Sequence, residues 1–258
     1  MDKDSFDLKG KVAIVTGGNG GIGKGIVDGL ALAGADIAIA ARNAEKTDKA
    51  VRNIQDTFGI RAIGIQVDVA NEDDTRKMAD QVSERLGRID ILVNNSGIAI
   101  PKMPQDFLAE EWDKVIEINL RGPFLCSKAV YPMMKSGGGG KIINIGSMTS
   151  IFGGMRMAPY GASKGGVVQL TRSLAVAWGA DNIQVNAILP GWIETELGLR
   201  AQKINPGFRE KVIARTPAAR WGAPEDIAGI SVFLASRASD FLTGTAIPVD
   251  GGYSVFLV

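Results

Sequence analysis

The sequence predicts a doubly wound α/β fold, in which one parallel sheet carries helices on both faces. Three observations support this. Short apolar runs alternate with amphipathic stretches along the whole chain. Those runs are nearly continuous in apolar residues, as expected of strands buried on both faces. The 258 residues contain no linker and no internal repeat of solenoid period, so a single domain over 1–258 is expected.

The strand-like runs are KVAIVT (11–16), DIAIAA (36–41), RAIGIQV (61–67), IDILVN (89–94), KIINIG (141–146), IQVNAIL (183–189) and TAIPV (245–249). Helix-like segments lie between them near 22–33, 44–58, 71–86, 106–135, 159–179 and 224–235. Regular strand-helix alternation implies parallel strands joined by crossover helices. The glycine run SGGGGK (136–141) reads as a loop into the fifth strand, because a linker there would split the alternation.

Composition narrows the chemistry. Basic and acidic residues nearly balance, 29 against 28, and no block of like charge occurs. That gives no electrostatic case for nucleic acid or an anionic membrane as partner. The N-terminal MDKDSFDLKGK lacks an apolar signal core, and no apolar run is long enough to span a bilayer. A soluble, cytoplasmic protein is the expectation. Cys126 is the only cysteine, so no internal disulfide can form, and its apolar helical surroundings suggest a buried thiol. The chain has no histidine. This excludes Ser-His and Cys-His nucleophile pairs and leaves too few ligands for zinc, so no metal is expected.

VTGGNGGIGKG directly follows the first strand and opens the first helix, with Gly17, Gly21 and Gly23 spaced G-x-x-x-G-x-G. Glycine permits a sharp turn and lets a pyrophosphate approach the helix N-terminus, where free N–H groups and the helix dipole favour anions. The strand-turn-helix context raises this above ordinary turn chemistry and points to a dinucleotide. Farther on, APYGASKGG (158–166) sets Tyr160 and Lys164 at i and i+4, on one helix face. A nearby ammonium stabilises phenolate over phenol, so the lysine is expected to lower the tyrosine pKa. A proton carrier without imidazole is then available.

The T-G-x-x-x-G-x-G spacing resembles that of the short-chain dehydrogenase/reductase family, and further motifs follow in that family's order. They are Asp68-Val69 after the third strand and N-N-S-G (94–97) after the fourth, where the family usually has N-N-A-G. Next come Asn119 in IEINLRG, Ser147 in NIGSMTS, Tyr160 and Lys164 twelve intervening residues beyond Ser147, and LPGWIET (189–195) after the sixth strand. The resemblance covers essentially the whole chain. It implies a Rossmann-type sheet of order 3-2-1-4-5-6-7. It also implies cofactor contacts at Gly17, Asn19, Gly21, Ile22, Gly23, Asp68, Val69, Asn95, Gly97, Tyr160, Lys164, Pro190, Gly191, Ile193 and Thr195. Tyr160 would be the general acid in reduction and the base in oxidation, and Lys164 would lower its pKa and hold the nicotinamide ribose. Ser147 would hydrogen-bond the substrate oxygen, and Asn119 would hold a water in a proton relay.

At the end of the second strand, an enzyme selective for NAD usually carries an acidic residue for the adenosine ribose hydroxyls. Here that place is Ala41, followed by Arg42. A guanidinium suits a 2′-phosphate, so NADP(H) is expected, with NAD(H) as runner-up and a solvated surface arginine as the alternative reading of Arg42. The glycine-rich turn offers Asn19 in place of a second basic residue.

The substrate is expected to be a small carbonyl or alcohol. By resemblance, 192–216, carrying Trp192, Leu197, Leu199 and Phe208, is a lid over it. The stretch 139–164 is similar to the branch acting on gluconate and deoxygluconate, and Arg156 could meet a carboxylate. 3-Oxoacyl-carrier-protein reduction is the nearest alternative, and a non-catalytic nucleotide sensor is an alternative of a different class. Gly161 to Gly165 also fits the hydrolase pattern G-x-S-x-G, but it follows a loop, and no histidine exists to activate Ser163. A homotetramer is expected by resemblance. The segments 106–135 and 159–179 would form one interface and the apolar tail YSVFLV (253–258) another, with burial of that tail in the monomer as the competing account.

Overall fold

A computed structural model describes residues 5–196, 198–199, 202 and 206–256. Seven strands form one sheet in the order β3-β2-β1-β4-β5-β6-β7, all parallel. They are β1 (Val12–Thr16), β2 (Asp36–Ala41), β3 (Ala62–Gln66), β4 (Ile91–Asn94), β5 (Gly140–Ile145), β6 (Ile183–Pro190) and β7 (Ala246–Val249). The central strands β1, β4 and β6 are buried at every residue, which accounts for their unbroken apolar sequences. Register aligns Val12 with Asp36 and Ala13 with Ile91, so β1 lies between β2 and β4. Strand order therefore reverses beside β1, and the crevice at the carboxyl ends of β1 and β4 is where ligands of such sheets bind.

The helices are α1 (Gly21–Leu32), α2 (Ala44–Phe58), α3 (Glu72–Leu86), α4 (Ala109–Ile116), α5 (Gly122–Ser136), α6 (Ala158–Trp178), α7 (Phe208–Ala214) and α8 (Ala228–Ala235). On one face, Met78 and Val82 of α3, Met134 of α5 and Leu174 of α6 pack on the sheet. On the other, Ile26 and Leu30 of α1, Ile54 of α2 and Leu234 of α8 do so. Cys126 is fully buried, as its apolar setting implied, and burial pushes its thiol up to about 12.

Caps distinguish α1 from its neighbours. Asn43 caps α2 by accepting from the Lys46 N–H, and Asn71 caps α3 by accepting from that of Asp74. The first turn of α3 also carries Glu72, Asp73 and Asp74, as the helix dipole favours. The N-terminus of α1 has neither a side-chain cap nor an acidic residue in its first turn.

The segment expected as one helix over 106–135 is broken. It starts at Ala109, passes through a π turn over Glu117–Arg121, and resumes as α5. A π turn inserts a residue into the helical register and rotates the side chains that follow.

Helix α1 packs unusually close to the segment leading into α8. A Cβ on Gly25 would lie 2.1 Å from the Pro224 carbonyl oxygen, and one on Gly29 would lie 2.8 Å from Cβ of Ala228. Gly25→Ala is expected to destabilise the fold by about 2–3 kcal/mol, because its obstruction is backbone. Urea unfolding of the variant beside the wild type measures this, and an unchanged midpoint would contradict it.

Among the described residues no helix is long and apolar enough to cross a membrane.

Candidate active site

Thr16 ends β1 and organises the crevice. Its buried hydroxyl donates to the Val93 carbonyl (3.3 Å) and accepts from the N–H groups of Asn95 (2.9 Å) and Ser96 (3.0 Å). Asn95 returns the connection, its amide donating to the carbonyls of Thr16 (2.9 Å) and Gly17 (3.2 Å). The loop after β4 thus fixes the shape of the glycine-rich turn, and Asn95 spends its side-chain donors on that turn. Gly17 has φ +66°, and a Cβ there would meet the Asn95 amide nitrogen at 2.9 Å, so both conformation and space require glycine. Ser96, where alanine was the usual residue, rests its Oγ 3.3 Å from that same Cβ position. Across the crevice, Thr195 Cγ2 would lie 3.4 Å from a Cβ on Gly21. The open first turn of α1 therefore faces the loop after β6. N–H groups without a side-chain cap and a first turn free of acidic residues suit a pyrophosphate.

The four polar residues expected to act together do converge. Ser147 follows β5 and caps the short 3-10 turn Met148–Ser150, its Oγ accepting from the Thr149 N–H at 3.2 Å. Ser150 Oγ accepts from the Ser147 N–H (3.2 Å) and donates to the Lys164 carbonyl (2.8 Å), which ties the serine loop to α6. Tyr160 lies in the first turn of α6, with the Ser147 side chain near enough to its phenol to favour the ionised form. Lys164 is one turn on, 5% exposed, and its Nζ donates to the Ile145 carbonyl at 2.6 Å. That ammonium stands 5.7 Å from the Tyr160 ring centroid.

Asn119, in the π turn, is fully buried. Its Oδ1 accepts from the Ile98 N–H (2.8 Å), and its Nδ2 donates to the Ile98 carbonyl (2.9 Å) and Ser163 Oγ (3.2 Å). Ser163 Oγ in turn donates to the Tyr160 carbonyl (2.7 Å). Asn119 thus clamps the β4 loop to the helix that carries Tyr160. Gly97 lies where these groups meet, since a Cβ there would be 3.3 Å from Asn119 Oδ1 and 3.7 Å from Lys164 Nζ.

The electrostatics differ from the simple expectation for a tyrosine beside a lysine. Burial pushes the Tyr160 phenol up from its ordinary value, and the neighbouring Ser147 side chain opposes that rise. Burial also pulls the Lys164 ammonium down to about 8. Sequence spacing correctly placed the pair on one face. It could not supply desolvation, the leading influence on both groups.

A family model described as enoyl-(acyl carrier protein) reductase matches residues 17–254. The chain belongs to the short-chain dehydrogenase/reductase family. It is therefore an oxidoreductase, with the sheet order the resemblance implied. A 2-dehydro-3-deoxy-D-gluconate 5-dehydrogenase from Formosa agariphila is 40% identical over 98% of this chain and 96% of its own length. A 5-keto-D-gluconate 5-reductase from Escherichia coli is 40% identical over 98% of both chains. The crystal structure of a gluconate 5-dehydrogenase from Burkholderia cenocepacia in complex with NADP and tartrate superposes with a TM-score of 0.94 at 40% identity, covering 98% of this chain and 99% of that one.

In this short-chain dehydrogenase/reductase, several of the remaining sequence-identified residues lie at strand ends or at the start of α1. Ile22 is in the first turn of α1. Asp68 Oδ1 accepts from the Ala70 N–H (3.0 Å), and Val69 packs beneath it against Gly122. Pro190 ends β6, the Gly191 N–H donates to the Val249 carbonyl (2.9 Å), and Ile193 pairs with Gly222. Trp192 packs edge-on to Phe208 (4.8 Å between ring centroids) and against Trp221 (5.6 Å), so the two lid aromatics pack on one another and on a third ring. Leu199 is exposed, and Leu197 lies outside the described residues. Arg156 is exposed, with its carbonyl accepting from the Lys102 N–H.

The sequence reading missed two cations. The Arg215 guanidinium lies 4.5 Å from the Tyr253 ring centroid and 5.7 Å from that of Phe152. Lys46 reaches back over Gly20 of the glycine-rich turn. Neither belongs to a motif, and both contacts join distant segments. The G-x-S-x-G match has no nucleophile, because Ser163 Oγ is buried and bonded on both sides.

Proposed function

We propose that this chain interconverts a secondary alcohol and a ketone of a sugar acid, using NADP(H). The convergence of Ser147, Tyr160 and Lys164 beside the open N-terminus of α1 carries the reading. It is supported by full-length similarity to sugar-acid dehydrogenases and reductases and by the NADP in one related structure.

The N–H groups of Gly21, Ile22 and Gly23 would hold the pyrophosphate, and Asp68 and Val69 the adenine. Arg42, exposed just past the buried Ala41, would meet the 2′-phosphate. Lys164 would hold the nicotinamide ribose, and the loop Pro190 to Thr195 the nicotinamide end. The bound cofactor supplies or accepts the hydride. In reduction, the Tyr160 hydroxyl donates its proton to the carbonyl oxygen while Ser147 Oγ donates a hydrogen bond to the same oxygen. In oxidation the ionised Tyr160 oxygen takes the proton back from the alcohol, while Ser147 keeps its hydrogen bond to the same oxygen. Burial favours the protonated phenol, the form that donates in reduction. Asn119 keeps the β4 loop and α6 in register, which fixes where Tyr160 points.

The test is NADPH oxidation with 5-keto-D-gluconate, simple ketones and a 3-oxoacyl thioester. Turnover of the keto-acid is expected to exceed that of the others. Turnover of the thioester alone would transfer the assignment to 3-oxoacyl-carrier-protein reduction, and binding of NADPH without any turnover would favour a sensor.

A cytoplasmic homotetramer completes the proposal. Phe124 of α5 and Val176 of α6 are exposed on the long helices, and at the end of the chain Val255 is 82% exposed, while Tyr253 packs against the core cluster of Met148, Val168 and Leu189. Mass in solution by light scattering tests the assembly, and a monomer would remove it.

A further inference from the structure

Lys46 has no place in the motifs that identify the crevice, yet its position is closely determined. A Cβ built on Gly20 would lie 2.9 Å from Lys46 Nζ and 3.3 Å from its Cε. The ammonium therefore stands directly over the glycine-rich turn. The first turn of α2 that carries it is anchored twice. Asn43 Oδ1 accepts from the Lys46 N–H at 2.9 Å, and Asn19 of the glycine-rich turn donates through Nδ2 to Thr47 Oγ1 at 2.9 Å.

The charge is also misplaced for any purpose internal to the fold. A cation in the first turn of a helix sits at the positive end of its dipole, which disfavours it. Glu45, the acidic residue of that turn, pairs with Lys49 at 2.7 Å. Among the described residues nothing pairs with Lys46 Nζ. Arg42 lies four residues earlier, on the other side of the Asn43 cap, exposed and likewise without a side-chain partner among the described residues. Two unneutralised cations thus flank one short connection, between a buried alanine where a carboxylate would repel phosphate and a glycine that leaves room beneath the ammonium. Arginine offers a planar fork and lysine a point charge, a pairing suited to a dianionic phosphate monoester.

We infer that Lys46 is a second 2′-phosphate-binding residue, acting with Arg42 to select a 2′-phosphorylated adenosine over an unphosphorylated one. This rests on the NADP(H) reading above and supplies the second basic group that the glycine-rich turn itself lacks.

Binding of adenosine 2′,5′-bisphosphate and of 5′-AMP to the purified full-length protein, by calorimetry, tests it without turnover. The wild type is expected to prefer the bisphosphate. Lys46→Ala should weaken the bisphosphate about 10- to 100-fold, the worth of one charge-assisted hydrogen bond, and leave 5′-AMP within about twofold. Lys46→Arg should keep most of the preference. If the wild type binds both ligands equally, the NADP(H) reading falls and Lys46 with it. If the wild type prefers the bisphosphate and Lys46→Ala keeps that preference, only the role of Lys46 is lost. Equal weakening of both ligands also overturns it, by placing the ammonium on the 5′-phosphate.

Discussion

Tyr160→Phe is expected to lower turnover roughly 100- to 10,000-fold while the affinity for the dinucleotide changes only a few-fold. The substitution removes one oxygen. The ring stays in the first turn of α6, Lys164 Nζ stays above it, and the Ser150 and Asn119 connections that position the helix do not involve the phenol. What is lost, on the proposed mechanism, is the group that exchanges a proton with the substrate oxygen. No histidine exists to replace it. The Ser147 hydroxyl remains, but an aliphatic alcohol donates a hydrogen bond rather than a proton near neutral pH. Fluorescence titration of the dinucleotide beside steady-state rates separates the two effects. Full turnover in the phenylalanine variant would remove the assignment of the acid, and loss of dinucleotide binding would show that the hydroxyl acts on the cofactor instead.

The parts legible in the sequence are those fixed by local rules. Strands buried on both faces must be apolar throughout, so β1 to β7 stand out as runs, and even the short β7 lies where TAIPV placed it. Ser147, Tyr160, Lys164 and the glycine-rich turn lie at strand ends and helix starts, where motif spacing constrains them. The interruption of the segment 106–135 was not legible. Nothing in EINLR breaks a helix, and the π turn coincides with the three hydrogen bonds that Asn119 makes to Ile98 and Ser163, each 21 or more residues away. The direction of the Tyr160 shift was hidden for a related reason. Spacing reports which groups are neighbours, whereas desolvation depends on everything packed around them. Lys46 escaped notice because its contact crosses from α2 to the turn after β1, a pairing no motif records.

Lys164→Met is expected to abolish most turnover, by at least ~100-fold, and yet to leave the fold at least as stable at neutral pH. The Lys164 ammonium is 5% exposed, its one hydrogen bond goes to the Ile145 carbonyl, and burial brings its pKa from the ordinary 10.5 to about 8. A lysine with a depressed folded-state pKa opposes folding wherever it must be charged. Below about pH 8 both folded and unfolded forms hold the proton, and the folded form carries a cost of about 3 kcal/mol. Between about 8 and 10.5 the unfolded chain binds more protons than the folded one, so this contribution to stability rises with pH and the cost disappears. Methionine keeps an unbranched stem of similar volume and carries no charge. It leaves the Ile145 carbonyl unpaired, which costs about 1 kcal/mol. The variant should therefore be about 1–2 kcal/mol more stable than the wild type at pH 7, and that advantage should shrink as pH approaches 10. Urea unfolding of both proteins at pH 7 and 9.5 measures it. A variant clearly less stable at pH 7 would mean that the buried ammonium supports the fold, and the view of Lys164 as a charge retained for function at the expense of stability would fail.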